Sequence, residues 1–322
     1  MTQIKRLTGS TRRPGVLGVH SLDHFSMTVP SLEQARHFYQ SFGLDVREEG
    51  RGLALYAPGL EHRWGILNEG KSKKLHYLSF GAFEDDLPRF RDRLSVLHVE
   101  RLAPPPGFES NGLWFRDHNG VLVEIGVAEK SSPNEKSSFT AHSAPAGVQG
   151  TSYRRNAPPT RPRRLAHLAL YTADVGRAIG FYRDVLGLRL SDSSEGNVAF
   201  MHGPHGSDHH MVAFARSGGP GLHHCSWDVG AVQEIGLGAM QMAGKRLHRR
   251  LGTRPSCAGL ELLPLCARPL GQLFRILRRH GLHPRRPRLA VGRSSGRGLF
   301  LPVGPKSARG LRAQLRNRDV TR

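Results

Sequence analysis

The chain has 322 residues, of which 38% are apolar, and contains 38 Gly, 21 Pro and three Cys. This length allows two domains, and three cysteines without C-x-x-C spacing exclude a disulfide framework and point to a reducing cytoplasm. The net charge of +21 suggests a nucleic-acid binder until it is located: Lys245–Arg322 carries 20 basic residues against Glu261 and Asp319, whereas the preceding residues carry 27 basic and 24 acidic.

Residues 1–19 read as a flexible basic leader, whose first fourteen positions lack the apolar stretch of a secretory signal. A first module is expected over residues 20–127. Its strand Phe25–Val29 alternates and stops at Pro30. Ser31, with Gln34 three residues on, is the N-cap of a helix from Leu32 to about Phe42, which Gly43 ends. Alternating runs follow at Leu53–Tyr56, Trp64–Leu67 and Leu75–Phe80, then a helix over about Asp85–Leu97. Strands Gly112–Arg116 and Val121–Val127 flank the turn Asp117-His118-Asn119-Gly120. The plan is two β-α-β-β-β units in series.

Residues 128–163, rich in Ser, Pro, Asn, Ala and Arg without periodicity, form a linker. A second module, 164–244, repeats the plan. It has a strand from Leu165, a helix Val175–Leu186 closed by Gly187, and strands near Leu188–Ser191, Val198–His202, His210–Ala215 and Gly221–Val229. A helix Val232–Met242 comes last, and there the pattern stops. The copies match in detail. Leu22-Asp23-His24-Phe25-Ser26-Met27-Thr28-Val29 corresponds to Leu165-Ala166-His167-Leu168-Ala169-Leu170-Tyr171-Thr172. In each, a Phe-Tyr pair (Phe38-Tyr39, Phe181-Tyr182) follows the histidine by 14 positions. Residues 245–322 are Arg-, Leu-, Pro- and Gly-rich, with 18 Arg among their 20 basic residues. They are expected to be disordered, and the bias is that of a GC-rich gene read out of frame. Their other reading is an Arg-rich arm for RNA or anionic surfaces. No apolar run approaches the roughly 18 residues that cross a membrane.

The strand-His, the Phe-Tyr helix with its Leu-Gly end and the second His-bearing strand together resemble the vicinal oxygen chelate superfamily, most nearly the two-domain extradiol ring-cleavage dioxygenases. That resemblance implies an α+β fold of tandem chelate-fold domains, the second here incomplete. The first domain is then non-catalytic and the second catalytic. It also implies Fe(II), with Mn(II) as the alternative, held by two His and one Glu with open positions for a catechol-type diol and O₂. Carried over residue by residue, His167 is the first ligand. Register in Leu222-His223-His224-Cys225-Ser226-Trp227 gives His224 as the second, with His223 facing out or packing on a neighbour. His210, in Asp208-His209-His210-Met211-Val212, matches the family's acid/base histidine. Homo-oligomers are usual in the family; no specific nucleic acid or membrane partner is implied. A non-enzymatic module of the bleomycin-resistance kind and a glyoxalase-like metal isomerase are the alternatives.

An apparent triad of His24, His76 and Glu124 in the first module does not survive alignment of the copies. Tyr77 falls at the ligand position, and His76 matches His223. The second module's glutamate is missing. Reading the last two bases of each codon with the first of the next, permitted choices across Leu251–Leu277 spell W-G-L-G-R-H-V-L-G-S-N-Y-F-H-Y-V-R-D-P-W-G-S-F-S-E-Y. That string resembles the family's closing segment, with the glutamate codon straddling Arg275 and Ile276. It implies a one-base frameshift near Gly244–Arg246 and a chain inactive as written.

Overall fold

A computed structural model describes residues 11–132, 146–149, 158–194, 196–245 and 247. Two mixed sheets are the backbone of the fold, one per module. In the first module β1 (Ser21–Val29), α1 (Leu32–Phe42), β2 (Asp45–Glu49), β3 (Gly52–Tyr56) and β4 (Arg63–Glu69) make one unit. The next unit has β5 (Lys74–Ala82), a 3-10 turn Glu84–Asp86, α2 (Leu87–Val96), β6 (Leu113–Arg116) and β7 (Leu122–Val127). The second module has β8 (Arg164–Thr172), α3 (Val175–Leu186), β9 (Arg189–Ser194), β10 (Val198–His202), β11 (Val212–Arg216), β12 (Gly221–Asp228) and α4 (Val232–Gly244).

The first sheet runs β2-β3-β4-β1-β5-β7-β6 and the second β12-β8-β11-β10-β9. Superposing the repeat makes β8 the counterpart of β1 and β12 that of β5. The described part of the second sheet is therefore the first sheet without the β6–β7 hairpin. Among the described residues, β12 has no partner on the side where β5 pairs with β7. The expected strands and helices are present with ends shifted by a few residues. Two differences have simple causes. β2, whose Asp45-Val46-Arg47-Glu48-Glu49 has only one apolar side chain, is held by full pairing to β3 rather than by an apolar pattern. The helix expected from Asp85 begins instead at Leu87, because Pro88 sits at the first turn, where a proline fits.

Helix ends are set by local chemistry. The Ser31 hydroxyl accepts from Gln34 N and Asp174 accepts from Arg177 N, a type of cap worth about 1 kcal/mol. Gly43 (φ 101°) and Gly187 (φ 72°) close α1 and α3 in the left-handed region. Both are also pinned by close approach: a Cβ on Gly43 would lie 2.2 Å from Thr160 O, and one on Gly187 2.4 Å from Leu17 O. The segment leading into each module thus crosses the capping glycine of the other.

That crossing corrects the expectation of a flexible leader for residues 11–19. Val19 is fully buried and its N–H donates to Leu186 O, Arg12 pairs with Asp85 and Asp86, and Arg13 N–H donates to His205 Nδ1. The linker's described end is also packed, since buried Thr160 is bonded to Gln241 and Glu234. The expected disordered tail, 245–322, lies outside the described residues apart from Lys245 and Leu247. A core running through both modules includes Phe25, Phe80, Phe90, Phe115, Tyr182 and Phe214. Between the modules the Tyr182 hydroxyl donates to buried Asp117 Oδ2 at 3.0 Å, and Asn119 Nδ2 donates to Thr172 Oγ1 at 3.0 Å.

Candidate metal centre

β8 and β12 run antiparallel with His167 opposite Ser226 and His224 opposite Ala169. His167 and His224 are thus diagonal neighbours on one face of the ladder, within reach of long side chains. Their Nε2 atoms lie 3.2 Å apart, and both rings are buried. Two ligands at right angles on one ion, bonded at about 2.0–2.1 Å, sit about 3 Å apart, so this pair has the spacing of two adjacent imidazole ligands. Burial holds both imidazoles well below their usual pKa range, with the neighbouring histidines adding to the effect. They are accordingly neutral, the form in which imidazole binds a metal.

Strict alternation would put His223 on the opposite face from His224. Both are buried instead, because the pairing shifts between Leu222 and His224 and leaves His223 as the extra residue of a β-bulge. Its ring packs on Tyr171 with centroids 4.6 Å apart, and its Nδ1 is 2.9 Å from His224 Nδ1. Of the two expected orientations, packing on a neighbour is the one observed. His210 comes just before β11 rather than within it. Its ring lies 4.1 Å from that of His167 and 4.8 Å from Phe200. Burial, then His209, pushes its pKa down to about 4. Its buried Nε2 has no partner among the described residues. The structure therefore brings His167, His224 and His210 together.

The first module repeats the geometry with different chemistry. β5 carries a bulge at His76, the counterpart of the one at His223, and His24 Nε2 lies 2.9 Å from the Tyr77 hydroxyl. Tyr77 thus occupies the His224 place, as alignment of the copies indicated. Burial, with Glu124 nearby, raises the Tyr77 phenol well above its ordinary range, which disfavours the phenolate a metal would need.

Sequence reasoning did not single out Phe200 and Tyr171 as walls of the histidine cluster. The alternation of Val198–His202 and the register of β8 carry that signal. Although these three histidines cluster, among the described residues no group of three His, Cys, Asp or Glu side chains is arranged so that it could hold a metal ion. The two imidazoles fit a metal; a carboxylate to join them is not among the described residues.

The family model for the Glyoxalase/Bleomycin resistance protein/Dioxygenase superfamily matches residues 21–125 and 164–247. The chain is 43% identical over 235 residues to Metapyrocatechase 2 of Cupriavidus necator, covering 73% of each chain. Its fold is like that of the 2,3-dioxygenase LapB from Pseudomonas sp. KL28 (TM-score 0.55, 19% identity, 72% of this chain and 82% of that one). It is also like that of the Mn(II)-bound glyoxalase from Novosphingobium aromaticivorans (TM-score 0.54, 20% identity, 71% and 72%). With two modules of one plan, each carrying a strand-borne histidine at the same place in its sheet, the chain belongs to the Glyoxalase/Bleomycin resistance protein/Dioxygenase superfamily.

Proposed function

We propose that this chain has the scaffold of an extradiol ring-cleavage dioxygenase for a catechol-type aromatic and O₂, and that as written it lacks one metal ligand. The observation that carries the reading is the buried pair of imidazoles with Nε2 atoms 3.2 Å apart, flanked by His210. In this reading His167 and His224 hold a divalent ion, Fe(II) by preference and Mn(II) as the alternative. When bound, the ion supplies Lewis acidity and open positions for the two diol oxygens and O₂. His210, whose Nε2 has no partner among the described residues, would accept the proton of a diol hydroxyl and later return it. Phe200, Ala169, Val198 and Ala213 form an apolar cluster beside these histidines that favours an aromatic ring and keeps water out. Few cysteines, with Cys225 a free thiol, suit a reducing compartment. No described helix is long and apolar enough to cross a membrane.

The missing carboxylate is attributed to the frameshift near Gly244–Arg246. Its support is the shifted-frame string across Leu251–Leu277 and a family match that ends at residue 247. Two experiments test the reading. Resequencing the gene together with the protein's intact mass decides the frame, and an in-frame tail confirmed by mass would sink it. Oxygen uptake with a panel of catechols is expected to be absent for this chain and present, with a yellow ring-fission product, for a frame-corrected one loaded with Fe(II). A corrected protein that isomerises a hemithioacetal, or that binds an aromatic without consuming oxygen, would favour the alternatives instead.

A further inference from the structure

The concave face of the first sheet encloses a cavity of about 1380 Å³ that the proposed ring cleavage does not use. Register puts the polar side chains on it. Glu124 lies opposite Trp114 on β6 and Ser79 on β5, and Tyr77 is two residues from Ser79, so all four share a face. Glu124 is only 5% exposed, and the hydrogen bond that satisfies it comes from the Ser110 hydroxyl. Among the described residues it has no ion-pair partner. A carboxylate taken out of water without a counter-charge is costly, so this position favours an incoming cation.

The surrounding walls suit an organic cation rather than a bare ion. Tyr77 and Trp114 meet edge to face with centroids 4.9 Å apart, and Phe108 lies 5.2 Å from Tyr77 and 5.6 Å from His76. Ring faces attract ammonium groups, most strongly where water is excluded. Carboxylates outnumber guanidinium groups five to two along the lining. The buried Trp114 indole N–H has no acceptor among the described residues, which leaves a donor for a polar group on the ligand. No three His, Cys, Asp or Glu side chains converge among the described residues, so a bare metal ion lacks its shell. We propose that the first module binds a small organic ammonium compound, with Glu124 as its counter-ion and Tyr77, Trp114 and Phe108 as its aromatic cage. The site lies outside the histidine cluster and stands or falls independently of ring cleavage.

Calorimetric titration of the full chain with benzylammonium and with tetramethylammonium chloride, against sodium benzoate, tests this. Saturable binding of at least one cation is expected, with benzoate binding at least about tenfold more weakly. Glu124→Gln should weaken the cation at least about tenfold, and Phe108→Ala severalfold, in line with a desolvated cation–π contact. Phe108 is only partly buried, so its variant reads the cage even if Glu124→Gln does not fold. Benzoate binding as tight as the cations, no saturable binding at all, or an affinity unchanged by Phe108→Ala would overturn the proposal.

Discussion

At the residue scale, the sequence made His167 and His224 legible and left the role of His223 open. Alternation along a strand distinguishes one face from the other, but a bulge suspends alternation at one residue, and nothing in Leu222-His223-His224 announces it. The bulge gives His223 a distinct part. With its Nδ1 2.9 Å from His224 Nδ1, it would, under the proposed assignment, orient the His224 ring rather than ligate. His167→Ala and His224→Ala are therefore expected to abolish Mn(II) binding followed by calorimetry, whereas His223→Ala should weaken it about 10- to 100-fold, as loss of an outer partner does. Equal loss in all three variants would count against this division. His20 gives a separate, pH-linked test. It is fully buried beside Phe83, with centroids 4.6 Å apart, and burial pushes its pKa down to about 4. Unfolded, it titrates near its ordinary value of about 6.5, so between those values the unfolded chain binds more protons. Stability should be unaffected by His20 above about pH 6.5, fall as pH drops through that window, and be lower by about 2 kcal/mol near pH 5. Urea midpoints across this range should flatten in His20→Phe, which keeps an aromatic ring against Phe83 but cannot be protonated.

At the element scale, helices with caps were easier to read than strands whose pairing decides their fate. Ser31, Asp174, Gly43 and Gly187 are local signals, and α1 and α3 fall where those residues put them. β2 depends on its hairpin partner β3 rather than on a pattern of its own, and the packed leader depends on partners remote in sequence, α3 and Asp85–Asp86. The Phe-Tyr motif shows the same limit. The sequence marks Tyr39 and Tyr182 as equivalents, yet their hydroxyls differ. Tyr182 donates to Asp117 in the β6–β7 turn, while the buried Tyr39 hydroxyl has no partner among the described residues. Tyr182→Phe removes one donor from buried Asp117 and should cost about 1–3 kcal/mol in denaturant unfolding. Tyr39→Phe removes a polar atom already buried without a partner and should be neutral or slightly stabilising, within about 1 kcal/mol. Equal costs for the two would show that Tyr39 is satisfied after all.

At the scale of the whole molecule the two modules meet about an approximate twofold relation. α1 packs on α4 as α2 packs on α3, β1 approaches β8, and β5 approaches β12. Under that relation the Asp117–Gly120 turn of the first module, docked against Tyr182, requires a counterpart turn from the second module docked against Tyr39. The described part of the second sheet stops one hairpin short of supplying it, and among the described residues β12 has an unpaired edge, a hazard for aggregation. The shifted reading of the tail contains an Asp-Pro-Trp-Gly turn at the matching place in the plan, across Arg268–Gln272. The Tyr39 hydroxyl, without a partner among the described residues, is thus where the frame hypothesis makes a folding prediction independent of catalysis. In a frame-corrected chain the restored aspartate should accept from Tyr39, and Tyr39→Phe should change from near-neutral to costing about 1–3 kcal/mol, comparable to Tyr182→Phe. The corrected parent should also unfold at higher denaturant and with a larger m-value, because a completed sheet exposes more surface on unfolding. If Tyr39→Phe remains neutral in the corrected chain, the restored tail does not close the second module as the first is closed, and the frameshift reading loses its structural support.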